Sequence, residues 1–410
     1  MNISIVIIGD EMLLGRVTDT NSGSISRAFN LHGWETARIF TVGDDASAIR
    51  EAVDRAMEQS EVVVMTGGLG PTKDDITKGV LTDVFGGETV YNEDVAENIR
   101  EIFKRRGLEL NELTERQAIV PESCRVIQNR YGTAPIMWFE RDNRVLVAMP
   151  GVPFETEGML PEVVAQVCRR FSSADSYSHR TLIVGGISES ALAMLLNDFE
   201  LSLAEGMHLA YLPQAGYVRL RLDAKNVAGS VVDHAYDRLK YVLGNLLLCE
   251  GDATPAQMVL ELMKERGLTL ATAESCTGGN IARSIISNEG ASEVFSGSIV
   301  SYSNSVKANV LGVGTTELDN FGAVSQQVVE QMVEGVGRLM NVDCAIATSG
   351  IAGPGGGTPQ KPVGTVWMAW KVGSRIISKV HHFAGDRNRV IERATNEALI
   401  ELYRLIKGAN

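Results

Sequence analysis

The stretch Ile3-Ser4-Ile5-Val6-Ile7-Ile8-Gly9 begins the chain with a nearly continuous apolar run that ends at a glycine. A run of this length predicts a strand that is buried on both faces, as in a parallel sheet. Alternating helical and strand patterns follow it at Thr20–Leu31, Thr36–Val42, Ala46–Gln59 and Glu61–Thr66, and a later strand pattern covers Arg144–Met149. This order predicts an α/β fold with a doubly wound parallel sheet, which binds ligands at the carboxyl ends of its strands.

Composition limits the class of protein. The chain has 410 residues, 44% of them hydrophobic and 22% charged, which predicts two or three ordinary globular domains. Its net charge of −13 repels nucleic-acid phosphates, so we expect no nucleic-acid partner. The short basic run Lys104–Arg106 lies between acidic residues and is interpreted as a solvated helix face.

The cysteines and the apolar segments indicate the cellular compartment of the protein. Five cysteines are scattered without CxxC spacing, which argues against a disulfide framework and against a zinc site. The first apolar run is short and has no basic residues before it, so it is interpreted as a strand and not as a signal peptide. With no apolar run of 18 residues, we expect a cytoplasmic protein without a membrane partner.

Polar breaks divide the chain into three predicted domains. Residues 1–172 form the first α/β domain, and the polar stretch Ser172–Ser178 is interpreted as a linker. Residues 178–250 have the pattern of a small α+β domain. A second break at Glu250–Pro255 separates it from an α/β domain at 253–410.

Two glycine-rich segments of the first domain follow predicted strands. One runs from Gly9 to Gly15 and continues to Asn21, and the other is Thr66–Thr77. Their glycines let backbone N–H groups approach an anion, and the carboxylates of Asp10, Asp74 and Asp75 are ligands for a hard cation. Together they indicate metal-assisted cleavage of a phosphoanhydride. The alternative is a tight turn in which the two adjacent aspartates cap a helix.

The segment Ala273–Gly279 is the most specific motif of the last domain, because it places Ser275 between a predicted strand and a predicted helix. A serine needs a base to act as a nucleophile. Lys307 is the candidate base, and Tyr302 is a candidate to relay the proton or orient the amine; His381 and His382 are the alternative. We expect an oxyanion hole from the backbone N–H groups of the residues after the serine, namely Cys276, Thr277, Gly278 and Gly279.

A third segment, Thr348–Pro359, also follows an apolar strand and offers many N–H groups to a phosphate or carbonyl oxygen. Its first residues, Thr348, Ser349 and Gly350, are candidate substrate contacts. Arg387 precedes the final helix pattern and is a candidate to hold a phosphate, with Arg389 and Arg393 as alternatives.

The sequence GDEMLLG at 9–15, DTN at 19–21 and TGGLGPTKDDIT at 66–77 resemble the molybdopterin-binding family of MoaB, MogA and MoeA, and more closely the N-terminal domain of the CinA family. Segments 132–135 and 150–153 also match that domain. The resemblance implies an ADP-ribose pyrophosphatase that yields AMP and ribose 5-phosphate and needs a divalent cation, with K⁺ as a further candidate. It implies ligand contacts at Asp10, Glu11, Asp19, Asn21, Gly67, Gly68, Gly70, Thr72 and Asp75, and metal ligands at Asp74 and Asp75.

Residues 253–408 resemble the C-terminal domain of CinA proteins, which also occurs alone as PncC. The resemblance implies a deamidase that converts nicotinamide mononucleotide (NMN) to nicotinate mononucleotide and ammonia without a metal. Ser275 corresponds to the family's nucleophile, Tyr302 and Lys307 to its activating pair, and 348–350 with Arg387 to parts of its substrate site. The middle domain corresponds to a KH-like domain, but it lacks a GxxG motif, so we expect a linking role and a homodimer.

The leading hypothesis is therefore a bifunctional enzyme of pyridine nucleotide salvage, with NMN and ADP-ribose as its small-molecule partners. In a second hypothesis only the deamidase is active and the N-terminal domain is regulatory. A third is a non-catalytic partner in competence or the response to DNA damage, and a fourth is binding of molybdopterin.

Overall fold

The computed structural model describes residues 1–72, 75–171 and 176–408. The chain forms two compact units, Met1–Ser178 and His179–Asn410. The second unit contains both segments that the sequence predicts as separate domains, 178–250 and 253–410, each with its own sheet. Within the described ranges, no helix is both long and apolar enough to cross a bilayer.

The first unit alternates strands and helices over most of its length. Its strands are β1 (Asn2–Ile8), β2 (Glu35–Val42), β3 (Val62–Thr66), β4 (Thr89–Tyr91), β5 (Ile119–Pro121), β6 (Arg125–Ile127), β7 (Ile136–Arg141) and β8 (Arg144–Met149). Its helices are α1 (Asp10–Leu13), α2 (Asn21–Asn30), α3 (Ala46–Gln59), α4 (Thr77–Phe85), α5 (Glu93–Arg106), α6 (Glu112–Glu115) and α7 (Pro153–Arg170).

The main sheet of this unit has the strand order β2-β1-β3-β8-β7-β6. The first four strands are parallel, and β1 is buried on both faces, as its apolar run predicts. The sheet is not parallel throughout, however, because β7 and β6 run antiparallel to their neighbours. The cause is local: β7 and β8 are joined by the two residues Asp142 and Asn143, with φ of 51° and 59°. Two left-handed residues form the tight turn of an antiparallel hairpin.

The second unit contains two sheets. Its strands are β9 (Tyr177–Gly185), β10 (Met207–Gln214), β11 (Tyr217–Lys225), β12 (Leu247–Glu250), β13 (Leu270–Glu274), β14 (Phe295–Val300), β15 (Cys344–Gly350), β16 (Thr365–Val372) and β17 (Arg375–His382), although β9 begins at the end of the first unit. Its helices are α8 (Glu189–Leu201), α9 (Gly229–Leu243), α10 (Pro255–Arg266), α11 (Asn280–Ile286), α12 (Asn304–Asn309), α13 (Thr315–Phe321), α14 (Gln326–Met340) and α15 (Arg387–Lys407).

The four-stranded sheet has the order β10-β11-β9-β12, and the five-stranded sheet has the order β14-β13-β15-β16-β17. In the latter, β13 is parallel to both β14 and β15, so the carboxyl ends of these three strands lie at one edge. Three segments lie at or just beyond this edge: Ala273–Gly279, the segment that contains Tyr302 and Lys307, and Thr348–Pro359. The edge therefore positions the candidate site.

Helix α15 packs the two sheets of the second unit together. Near its carboxyl end the Tyr403 hydroxyl donates to the Leu248 carbonyl oxygen at 3.1 Å. The backbone at Gly185 and Gly186 is covered by Arg404, and a Cβ at Gly186 would lie only 3.0 Å from its Nη2 atom. This glycine pair, which lacks GxxG spacing, therefore has a packing role. The KH-like assignment of the 178–250 segment stays a prediction.

Candidate functional site

Ser275 lies directly after β13, and its amide donates to the Thr348 carbonyl oxygen on β15 at 2.9 Å. Lys307 is on α12, whose first turn is capped by the Ser303 hydroxyl. The sheet edge and this short helix bring the two side chains together across 32 residues of sequence: Lys307 Nζ is 3.0 Å from Ser275 Oγ.

Lys307 is buried among oxygen acceptors. Its side chain is 1% exposed, and burial lowers the pKa of this amine. Nζ donates to the carbonyl oxygens of Ser301 at 2.6 Å and Tyr302 at 3.4 Å. A neutral amine has two N–H groups and one lone pair. In the structure Nζ donates to these two carbonyls and to Ser275 Oγ; after loss of one proton, its lone pair can accept the proton of the Ser275 hydroxyl.

Some of the four amides predicted to form the oxyanion hole already have hydrogen-bond acceptors within the protein. The Gly278 amide donates to the Ser275 carbonyl oxygen at 3.2 Å, and the Gly279 amide donates to the Glu274 carboxylate at 2.9 Å. Among described atoms, the amides of Cys276 and Thr277 donate to no oxygen. Of these two residues, Cys276 lines the cavity over Ser275 and Thr277 does not, so the Cys276 amide is the candidate donor to a developing negative charge.

Glu274 is a site residue that the sequence analysis missed. It is fully buried, and its carboxylate accepts hydrogen bonds from the amides of Gly279, Ile281 and Ala282, at 2.9, 3.1 and 2.9 Å. These amides open α11, where a carboxylate is stabilised by the helix dipole. Glu274 therefore fixes the turn that carries Ser275. An acidic residue at the end of a predicted strand, just before a glycine-rich turn and a helix, is the signal that could have identified it.

This arrangement predicts that Glu274→Gln lowers the free energy of unfolding by about 2–4 kcal/mol, because an amide NH₂ would face backbone N–H donors in a buried place. Urea unfolding followed by circular dichroism measures the change. Glu293→Gln is the matched control, since Glu293 forms an exposed ion pair with Lys264 and should change stability by less than about 1 kcal/mol. Equal effects of the two variants would contradict a structural role for Glu274.

The Tyr302 hydroxyl is directed away from Lys307. It accepts a hydrogen bond from Arg387 Nη2 at 3.2 Å, while Arg387 Nη1 donates to the Gly353 carbonyl oxygen at 2.7 Å. Arg387 is the first residue of α15, which the Asp386 side chain caps. Tyr302 thus reaches the amine through its backbone carbonyl and the guanidinium through its phenol.

A cavity of about 270 Å³ lies over this group. Of the predicted contacts, those that line it are Ser275, Cys276, Tyr302, Lys307, Ser349, Gly350 and Arg387. Thr348 is fully buried and does not line the cavity; its hydroxyl oxygen lies 2.8 Å from that of Thr277. The alternative base His381 is stacked on Phe383 away from this lining, and the alternative arginines Arg389 and Arg393 do not line it.

The first unit has its own cavity of about 410 Å³ at the carboxyl ends of β1 and β3. Predicted residues that line it are Glu11, Asp19, Asn21, Gly67, Gly68, Gly70 and Asp75. Asn21 is held by hydrogen bonds from its Nδ2 to Thr66 Oγ1 at 3.0 Å and to the Gly151 carbonyl oxygen at 2.9 Å. Asp10 lies outside this lining and accepts from the Asp44 amide at 3.2 Å.

The carboxylate of Asp75 closes the glycine-rich loop. It accepts from the amides of Gly70 and Thr72, both at 2.8 Å, and from the Thr72 hydroxyl. Asp74, the other predicted metal ligand, lies outside the described residues. In the described part of the chain, no three His, Cys, Asp or Glu side chains are close enough to hold a metal ion.

Comparison with known proteins gives consistent matches. Residues 252–406 match the family model for the CinA C-terminal domain, and residues 4–170 match that for a probable molybdopterin binding domain. A CinA-like protein of Cytophaga hutchinsonii is 39% identical over 409 residues, covering 98% of this chain and 96% of that protein. A putative competence-damage inducible protein of Caldicellulosiruptor saccharolyticus is 36% identical and covers 99% of both chains.

Among solved structures, a CinA superfamily protein from Klebsiella pneumoniae is 36% identical and covers 38% of this chain and 96% of that chain, with a TM-score of 0.37. The fold and the family matches define a mixed α/β protein that combines a molybdopterin-binding-type domain with a CinA C-terminal domain. The chain belongs to the CinA family, because these relatives match it over nearly the whole length of both chains.

Proposed function

We propose that the second unit hydrolyses the carboxamide of NMN to give nicotinate mononucleotide and ammonia. The observation that supports this most directly is the 3.0 Å contact between Ser275 Oγ and the buried Lys307 amine. Acyl transfer needs a nucleophile, a base and hydrogen-bond donors for the oxyanion. The hydroxyl, the amine and the unengaged amides beside them can supply these three functions.

In the first step, Ser275 Oγ attacks the carboxamide carbon while Lys307 Nζ takes the hydroxyl proton. The carboxamide oxygen becomes an oxyanion, which the Cys276 amide stabilises. The Lys307 ammonium then returns the proton to the leaving nitrogen, so that ammonia departs and an ester remains on Ser275.

In the second step, water attacks the ester carbon and gives its proton to Lys307. Collapse of this intermediate releases the product as a carboxylic acid, which loses its proton to solvent, while Lys307 returns the first proton to Ser275, so that both groups are restored. Arg387 holds the substrate phosphate, since its guanidinium lines the cavity on a rigid helix start.

The test is ammonia release by the purified full-length chain, with NMN and nicotinamide riboside compared side by side. NMN should be hydrolysed, and kcat/KM for the riboside should be at least about tenfold lower because it lacks the phosphate for Arg387. No ammonia from NMN would refute the deamidase and favour a non-catalytic partner. Equal use of both substrates would refute the phosphate contact alone.

Tyr302→Phe tests whether the phenol relays a proton or positions Arg387. We expect KM for NMN to rise about three- to tenfold, because one hydrogen bond to the guanidinium is lost. The pH profile of kcat should stay unchanged, since the contact with Lys307 uses the backbone carbonyl. A fall in kcat by a factor of about 100 with unchanged KM would assign the phenol to proton transfer instead.

For the first unit we propose ADP-ribose hydrolysis to AMP and ribose 5-phosphate. The glycine-rich loop supports this, because Gly67, Gly68 and Gly70 line one wall of the cavity without side chains and let a diphosphate approach the backbone. When bound, a divalent cation would neutralise the diphosphate charge. Among the described residues, the carboxylates of Glu11, Asp19 and Asp75 line the cavity, where they would face such a cation.

ADP-ribose hydrolysis should be abolished by EDTA and restored by excess Mg²⁺ or Mn²⁺. In Asp75→Ala it should fall at least about tenfold, because the loop loses the carboxylate that closes it. Chromatographic separation of AMP measures both effects. Hydrolysis that is insensitive to EDTA would refute the metal requirement, and absence of hydrolysis would leave a regulatory or molybdopterin-binding first unit.

Homodimerisation and a cytoplasmic location stay predictions.

A further inference from the structure

A cleft of about 600 Å³ opens in the second unit where β12 meets the last turns of α15. Its wall is formed by Gly244, Asn245, 247–250, Tyr403, Arg404, Lys407 and Gly408. This volume is within the range of pockets that bind small molecules. None of these residues takes part in the Ser275 site, whose cavity is lined by other segments.

Two cations face this cleft without an ion pair. In the described part of the chain, neither Arg404 nor Lys407 has a carboxylate within 4.0 Å, and the Arg404 guanidinium donates no hydrogen bond. The carboxylate of the wall, Glu250, is already paired with Lys240 at 3.2 Å. The Glu397 carboxyl interacts electrostatically with Arg404 but lies beyond ion-pair distance, and burial raises its pKa.

Both cations are held in position before any ligand arrives. Lys407 Nζ donates to the Leu248 carbonyl oxygen at 3.1 Å and lies 5.3 Å from the centre of the Tyr403 ring. Arg404 packs on the bare backbone of Gly185 and Gly186. The remaining donors, the five N–H groups of the guanidinium and two of the ammonium, are therefore free to bind an anion. Preorganised donors lose less entropy on binding.

We propose that this cleft binds a phosphate group, free or as the terminal phosphates of a nucleotide. A phosphate carries about −1.5 to −2 charges at pH 7 and several strong acceptor oxygens, which match one guanidinium and one ammonium. The Tyr403 ring is covered by Lys407, so the cleft offers no aromatic face for a base. Arg404 is 17 residues after Arg387 on α15, about 26 Å along the helix, so one small ligand cannot contact both. The site is independent of both proposed activities.

Hydrogen–deuterium exchange of the full-length chain, followed by mass spectrometry, tests the proposal with inorganic pyrophosphate and with ADP as probes. Pyrophosphate at about 10 mM should slow amide exchange at least twofold in peptides covering 244–250 and 400–408. The protection should disappear in Arg404→Ala and in Lys407→Ala. Arg338→Ala is the matched control, because Arg338 also lies in the last turn of a long helix of this unit, and it should keep the protection.

Protection by both probes supports a site for free and nucleotide-bound phosphate, and protection by pyrophosphate alone assigns it to free phosphate. The proposal is overturned if pyrophosphate protects neither peptide in the wild type, or if ADP alone protects them. It is also overturned if Arg404→Ala, with an unchanged melting temperature, is protected as strongly as the wild type. Arg404→Lys, which keeps the charge but not the planar donor geometry, should give intermediate protection.

Discussion

Ammonia release from NMN is expected to fall by about 10⁴-fold or more in Ser275→Ala. The variant lacks the oxygen that attacks the carboxamide, and a water molecule in its place would not be held against Lys307. Removing the nucleophile from a serine hydrolase site leaves only binding and oxyanion stabilisation. The other hydroxyls of the cavity are already engaged, since that of Ser349 donates to the Ala323 carbonyl oxygen at 2.7 Å and that of Tyr302 accepts from Arg387 at 3.2 Å.

A coupled ammonia assay and mass spectrometry of quenched reactions check this result. In the wild type, the peptide that contains Ser275 should carry the added mass of the pyridine acyl ester. Ser284→Ala is the matched control, because Ser284 is a partly buried serine on α11 outside the cavity, and its activity should stay within about twofold of the wild type. An acyl mass on another peptide, or more than a tenth of the activity in Ser275→Ala, would show that Ser275 is not the nucleophile.

Lys307→Met is expected to lower kcat/KM for NMN by about 10³-fold or more, because the site loses its proton acceptor while the apolar stem is replaced by one of similar length. Lys307→Arg separates base catalysis from charge. Arginine keeps the positive charge but stays protonated, so it should be as inactive as methionine. Substantial activity in the arginine variant would show that Lys307 acts by its charge and not as a base.

The same lysine should set the pH dependence of the reaction. Burial lowers the pKa of Lys307 from its ordinary value of 10.5, and the neutral amine is the form that accepts the proton. The rate should therefore rise with pH through the lowered pKa and then level off below pH 10.5. In the unfolded chain this amine binds its proton more tightly. Its contribution to stability is thus complete above pH 10.5 and is lost as the pH falls through the lowered pKa of the folded state.

Urea unfolding at a series of pH values checks the second effect. The wild-type stability should increase over this pH window relative to that of Lys307→Met, which has no amine to titrate. If the two proteins follow parallel curves, then Lys307 is not desolvated to the extent that the geometry indicates. The kinetic and stability curves together distinguish a loss of base from a loss of fold.

Local sequence determined much of the architecture. The apolar run Ile3–Ile8 is a doubly buried strand as predicted, and the patterns at Ala46–Gln59 and Arg144–Met149 correspond to α3 and β8 residue for residue. Residue type and motif also singled out Ser275 as a candidate nucleophile and Lys307 as its candidate base, and the structure places Oγ and Nζ 3.0 Å apart. Both family domains are confirmed by matches over 4–170 and 252–406. These features depend on short-range periodicity and on residue type, which a sequence displays directly.

Only the tertiary structure decided which atoms meet. It directed the Tyr302 phenol to Arg387 and the Tyr302 carbonyl to Lys307, and it engaged the amides of Gly278 and Gly279 while leaving two neighbours unengaged. It also buried Glu274 under the start of α11 and brought Arg404 and Lys407 to one cleft. The physical reason is that a hydrogen bond depends on distances of a few tenths of an ångström and on the inventory of donors around it. Segments far apart in sequence set both quantities, and no local pattern records them.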